Sequence, residues 1–152
     1  MTQQLACPLT RGERILVALD GSESSDAALD QAISLGQICN STIFALNVVD
    51  LLPGQLAVAP ALTEKLSEES RVILEKAQAK IEENGITCKT IIHIGGQPDE
   101  YIIQEAKAKE VDLIVMGTNG RTGLKKLLIG SVVQKVLGHA PCAVMVVPAF
   151  VD

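Results

Sequence analysis

Three glycines and a serine are spaced Gly117-x2-Gly120-x9-Gly130-Ser131, with Arg121, Lys125 and Lys126 inside the same stretch. Amides bared by glycine, a hydroxyl and nearby cations suit a phosphate group, whose oxygens accept from N–H and O–H and whose charge favours a helix amino terminus. The spacing is neither the GxGxxG dinucleotide turn nor the GxxxxGK[ST] phosphate loop, because no glycine here precedes Lys-Ser or Lys-Thr. Plainer readings stand beside this one: the glycines can serve only to permit positive φ in a tight turn, and the three cations can form a solvated face. Asp20, in Asp20-Gly21-Ser22, is the second group with chemistry to offer. A carboxylate there either accepts two sugar hydroxyls or closes a turn and caps the following helix.

Other chemistries find no support. There is no GxSxG and no HExxH. His93 and His139 stand far apart, with no cysteine or carboxylate at ligand spacing. Cys7, Cys39, Cys88 and Cys142 lack CxxC spacing, which indicates neither a zinc site nor a disulfide framework and implies a reduced, cytoplasmic protein. A net charge of −5 and a pI near 5.0 argue against nonspecific nucleic-acid binding.

The elements that must position these residues follow from hydrophobic patterning. At 152 residues the chain is one domain's worth, and 47% hydrophobic residues with only 2% aromatic make its core aliphatic. That composition favours a parallel sheet covered by helices. Residues 1–12 read as a flexible tail without the apolar core of a signal peptide, and 13–152 as the domain. Strands are expected over 14–19, 42–49, 86–94, 111–116 and 142–147. The first ends at Asp20 and leads into a helix that buries Ala28, Leu29, Ala32, Ile33 and Leu35 and stops near Gly36. Leu51 to Leu62 should be an apolar loop, since Pro53, Gly54 and Pro60 break helical periodicity. Such a loop would fold over a ligand or onto a second subunit. A charged helix follows from Thr63 to about Asn84, with Leu66, Val72, Ile73, Ala77 and Ile81 inward. Another opens at Pro98-Asp99, and a last one at Ser131, whose hydroxyl is placed to be its N-cap. The order β-α-β-α-β-α-β-α-β with right-handed crossovers gives a doubly wound, Rossmann-like α/β fold with helices on both faces.

The glycine spacing, Val115-Met116 before it and the run His139-Ala140-Pro141-Cys142 after it resemble the nucleotide-binding members of the universal stress protein family, over about Arg14 to Pro148. The resemblance implies a five-stranded parallel sheet of order 3-2-1-4-5, with its switch point between strands one and four, where Asp20 meets Gly117. It implies a site for ATP, ADP or AMP built from Ala18, Leu19, Asp20, Val48, Met116, Gly117, Gly120, Arg121, Gly130, Ser131, Val132 and Val133, with Mg or Mn able to enter through the phosphates. In that assignment Asp20 reaches the ribose and the backbone at Val48 reads the adenine. It further implies a cytoplasmic stress-response homodimer joined through the strand Ala143 to Val147, without nucleic-acid or membrane partners. Slow ATP hydrolysis or autophosphorylation is the enzyme alternative, and a dimerisation module without nucleotide is another.

Overall fold

The structure, a computed structural model, describes residues 5–119 and 129–149. Within them β1 (Arg14–Ala18), β2 (Thr42–Val49), β3 (Thr87–Ile94), β4 (Leu113–Gly117) and β5 (Ala143–Val147) form one sheet in the order β3-β2-β1-β4-β5. Every pairing is parallel. The central strands are apolar without alternation because both faces are covered: Ile15, Leu16, Val17, Ile114 and Val115 are all 0% exposed. One face meets α1 (Glu23–Cys39) and, after the short α2 (Pro53–Val58), α3 (Pro60–Glu83). Ile15, Val17, Ile43 and Ala45 pack there against Ala28, Ile33, Ala77 and Ile81. The opposite face meets α4 (Pro98–Ala108) and α5 (Ser131–His139), where Leu16, Leu46, Ile114 and Met116 pack against Ile102, Ala106, Val133 and Val136. The chain therefore winds outward from β1 on one face and from β4 on the other, and the gap at the β1/β4 switch opens at the strands' carboxyl ends.

Several local expectations are corrected. Leu51 to Leu62 is largely helical, because Pro53 and Pro60 each sit in the first turn of a helix, where a missing N–H costs nothing. Gly36 does not end α1. It lies inside the helix, where an added Cβ would come within 3.1 Å of Ile43 Cδ1 and Ile86 Cδ1, so glycine lets the helix approach the sheet. The stop is Asn40, in the left-handed conformation at φ 54°. On α3 the inward stripe is Ser70, Leu74, Ala77 and Ile81, while Val72 is 37% exposed. Ala77 and Ile81 are buried and Ile73 packs on the core as expected, and the position hydropathy could not mark is Ser70, which faces inward through a polar contact: its hydroxyl donates to Asn47 Oδ1 at 2.5 Å, and Asn47 Nδ2 donates to the Leu19 carbonyl at 2.6 Å.

The cysteines also depart from expectation. Cys7 and Cys39 are joined in a disulfide, their Cα atoms 4.7 Å apart. A separation of 32 residues concealed the pair. The fold makes it, because the chain entering β1 runs past the exit of α1: the Ser41 hydroxyl donates to the Gly12 carbonyl, and Thr42 N–H donates to the Glu13 carbonyl at 2.8 Å. The argument from unpaired cysteines to a reduced compartment thus loses its basis. Among the described residues no helix is long and apolar enough to cross a membrane.

Candidate functional site

A cavity of about 470 Å³ occupies the carboxyl ends of β1, β2 and β4 and the amino ends of α4 and α5. Its lining is apolar in part, with Ala18, Leu46, Val48, Met116, Pro98 and Ile102. The rest includes polar groups, from Asp20, Ser25, Asn119, Ser131 and Gln134. A volume and lining of this kind suit a ligand with a flat apolar part and a charged part. Of the residues expected at a site, Ala18, Leu19, Asp20, Val48, Met116, Gly117, Gly130, Ser131, Val132 and Val133 all line this one cavity. Gly120, Arg121, Lys125 and Lys126 lie outside the described residues.

The β1–α1 turn holds Asp20 in place. Its Oδ1 accepts from Ser22 N–H at 2.9 Å, and its own N–H donates to Ser25 Oγ at 3.4 Å. The turn role is therefore real. It uses one carboxylate oxygen, and Oδ2 has no hydrogen-bond partner among the described residues. Ser22 begins α1 as its N-cap, accepting from Ser25 N–H at 3.2 Å. The hydroxyls of Ser22 and Ser24 donate to the Asn119 carbonyl at 3.3 and 2.5 Å, tying the helix start to the segment after β4.

The glycines differ in why they are glycine. Positive φ is not the reason at Gly117 or Gly130; among the described glycines it occurs at Gly21, Gly85, Gly95 and Gly96. A Cβ on Gly117 would come within 2.6 Å of the Ser24 carbonyl carbon, so contact between β4 and α1 requires glycine there. Gly130 is extended (φ −62°, ψ 161°), and its Cβ would meet nothing closer than the Thr118 carbonyl oxygen at 3.4 Å, an ordinary contact. No neighbour among the described residues demands glycine at 130.

Gly130, and not Ser131 as expected, is the N-cap of α5, and no side chain caps this helix. Ser131 falls one residue inside because the chain turns at Gly130, whose N–H is taken by the Thr118 carbonyl at 2.9 Å. The first bond of the helix runs from Gln134 N–H to the Gly130 carbonyl at 3.1 Å. The amides of Ser131, Val132 and Val133 precede it, have no carbonyl four residues back within the helix, and lie on the cavity. Asn119 Oδ1 is buried beside them without a hydrogen-bond partner among the described residues. A buried polar atom left unpaired costs free energy, so this oxygen calls for a donor, from a ligand or from the chain outside the described residues. Sequence reasoning missed Asn119, Ser25 and Gln134. For Asn119 the available signal was its place between Gly117 and Gly120; the other two carry none. Among the described lining residues Asp20 is the one charged side chain, and the amino ends of α4 and α5 contribute positive potential.

A second polar cluster forms where α4 crosses β3. His93 Nε2 lies 3.0 Å from Glu105 Oε1, and the His93 ring stacks on Tyr101 with centroids 4.0 Å apart. The carboxylate absent from the neighbourhood of His93 in sequence thus arrives from α4. None of these three residues lines the cavity. Among the described residues no group of three or more His, Cys, Asp or Glu side chains could hold a metal ion.

The pattern of the universal stress protein family matches residues 12–148. Universal stress protein MJ0531 of Methanocaldococcus jannaschii is 36% identical over 141 residues, which cover 89% of this chain and 81% of that protein. The solved structure of MJ0577, a universal stress protein of the same organism, shares the fold with a TM-score of 0.82 at 30% identity, over 92% of this chain and 98% of its own. A universal stress protein family protein from Arabidopsis thaliana, solved with AMP bound, has the same fold with a TM-score of 0.69 at 23% identity, covering 92% of this chain and 94% of its own.

Proposed function

The chain belongs to the universal stress protein family, and from that premise we propose that it binds ATP in the cavity at the β1/β4 switch and acts as a nucleotide-dependent stress-response homodimer. The observation that carries the reading is the uncapped amino terminus of α5, whose first residues, Ser131, Val132 and Val133, line the same cavity as Asn119, where Oδ1 has no hydrogen-bond partner among the described residues. Three convergent N–H groups at a positive helix end match phosphate oxygens. Gly117, Gly130 and the Ser131 hydroxyl complete this cradle, with Gly120 and Arg121 assigned to it from the sequence. The second oxygen of Asp20 accepts from the ribose. The base lies against Ala18, Leu19, Val48 and Met116. An AMP-bound protein of the same fold makes adenine nucleotides the class to test first. Asp20 is the one carboxylate among the described lining residues, so a Mg or Mn ion would be held chiefly by the phosphates.

Nucleotide binding in this reading changes conformation or subunit contacts without driving turnover. Mass spectrometry of small molecules released from freshly purified, denatured protein identifies the resident nucleotide. Titration calorimetry with ATP, ADP and AMP ranks them. Failure of all three to bind protein stripped of ligand overturns the proposal, and phosphate release during ATP incubation would turn it into a slow hydrolase.

The two sheet margins support the dimer. Edge strand β3 carries exposed Lys89, a charge that discourages pairing with another chain. Edge strand β5 is Ala-Val-Met-Val-Val, with no charge at all. An antiparallel pairing of β5 with its copy covers that edge by two-fold symmetry. Pro148, which lacks a donor, ends the ladder. Sedimentation as a monomer at micromolar concentration refutes this part alone.

A further inference from the structure

We propose that the Cys7–Cys39 bridge is a thiol–disulfide exchange site, opened by a dithiol reductant, and that its opening frees residues 5–11 from the amino end of the sheet.

Apart from the peptide bond to Gly12, the bridge is the one covalent tie between this segment and the rest of the described fold, and little else holds it. Among the described residues no hydrogen bond or ion pair joins 5–11 to the rest of the fold; the other contact is Leu9, half-buried against the core. From Gly12 onward the chain is held independently. Its carbonyl accepts from Ser41, that of Glu13 accepts from Thr42, and β1 then pairs on both sides. Opening the bridge therefore leaves the sheet and α1 in place and lets the chain peel back as far as Gly12.

Both bridged residues are half-buried, which leaves the bond open to a reductant. The remaining thiols do not compete. Burial pushes Cys88 up to about 11, with Glu82 adding to the effect, and burial raises Cys142 as well. Neither is a thiolate at neutral pH, so neither attacks the bridge from within. Gly12 is fitted to the closed form: a Cβ there would lie 2.8 Å from Cys7 Sγ and 2.9 Å from Cys39 Cβ and Sγ. Any larger residue would have to displace the bridge.

The exchange balances. A thiolate of the reductant attacks one sulfur of the pair and forms a mixed disulfide, while the other cysteine leaves as a thiolate and takes a proton. The second thiol of the reductant then displaces the first cysteine. Two electrons and two protons reach Cys7 and Cys39, and the reductant becomes a disulfide. An oxidised dithiol of the same class reverses both steps.

Trypsin reads the switch, because Arg11 is exposed and directly precedes buried Gly12. Full-length protein, equilibrated with oxidised or reduced dithiothreitol, is digested briefly, fully reduced after quenching and weighed. Cleavage after Arg11 is expected to rise by roughly tenfold on reduction, following the population of the released segment. Cys39→Ser should cut at the fast rate with or without reductant, and Cys7→Ser serves equally if that variant folds poorly. Cys142→Ser should respond like the wild type. Alkylation in denaturant should count two thiols in the oxidised wild type and four in Gly12→Ala. Four thiols in the oxidised wild type, or a cleavage rate indifferent to reductant, overturns the proposal.

Discussion

The two ends of this sheet use the same helix in opposite ways. At the carboxyl end the start of α1 helps build a cavity where, among the described residues, polar groups are left open: three α5 amides, one oxygen of Asp20, and Asn119 Oδ1. At the amino end, α1 finishes in a region of comparable size, about 500 Å³, where polar groups bond to each other. Gln37 Nε2 donates to Asn84 Oδ1 at 3.1 Å, the Ser41 hydroxyl to Gly12, and Asn40 N–H to the Gly36 carbonyl. The disulfide joins the last residue of α1 to the chain that enters β1 at this same end. Size therefore does not make a site. An open end stores unmet hydrogen-bonding capacity for a ligand, while a closed end turns the same capacity into stability.

The largest effect belongs to the closed end. Removing the bridge, by reduction or by Cys39→Ser, returns entropy to the unfolded chain. For a loop of this size the loss is about 3 to 4 kcal/mol, read as a lower urea midpoint. ATP affinity should stay within about twofold, since the change lies at the far end of α1. A parallel loss of affinity would show that the two ends are coupled.

Gly117→Val is the substitution that should break the division. Its side chain would run into the first turn of α1 at Ser24, so stability should fall by about 2 to 3 kcal/mol and binding should fail with it. Denaturation and calorimetry on one preparation test both. Gly130→Val should sharpen the division, because a Cβ there meets only an ordinary contact within the protein. Stability should change by less than about 0.5 kcal/mol, while affinity drops at least about tenfold if phosphate approaches that backbone. Wild-type affinity in Gly130→Val would sink the cradle. Smaller still, Ser131→Ala or Asn119→Ala should each cost about 1 kcal/mol of binding, roughly a fivefold weaker Kd.

A pH slope is expected at the amino end of the sheet. Buried Cys88 keeps its proton to about 11 in the folded chain, against an ordinary value of 9.0. Between those values the folded protein binds more protons than the unfolded one, so stability falls as pH rises through that window and is unaffected below it. Cys88→Ala should remove this slope. Urea midpoints of both proteins at about pH 8 and about pH 10.5 supply the comparison, and parallel changes would exclude Cys88 as the source.

What could be read in advance depended on how local its cause was. Apolar, β-branched runs such as Ile15 to Val17 and Ile114 to Val115 announce buried parallel strands, because burial on both faces acts on each residue separately. Local signals misled where one residue type serves two purposes. Pro53 and Pro60 break a helix from inside but open one from its first turn. Gly36 reads as a stop and is a close contact.

By itself the sequence determined the alternation of strands and helices, the turn at Asp20 and the glycine-serine segment, since each is written in neighbouring residues. Tertiary structure alone decided that Cys7 meets Cys39, that Glu105 meets His93, that Ser24 excludes a side chain at Gly117, and that Asn119 Oδ1 is buried without a hydrogen-bond partner among the described residues. Each of these is a relation between distant parts of the chain. A residue's type states what it can bond to, and only the path of the backbone states what is within reach.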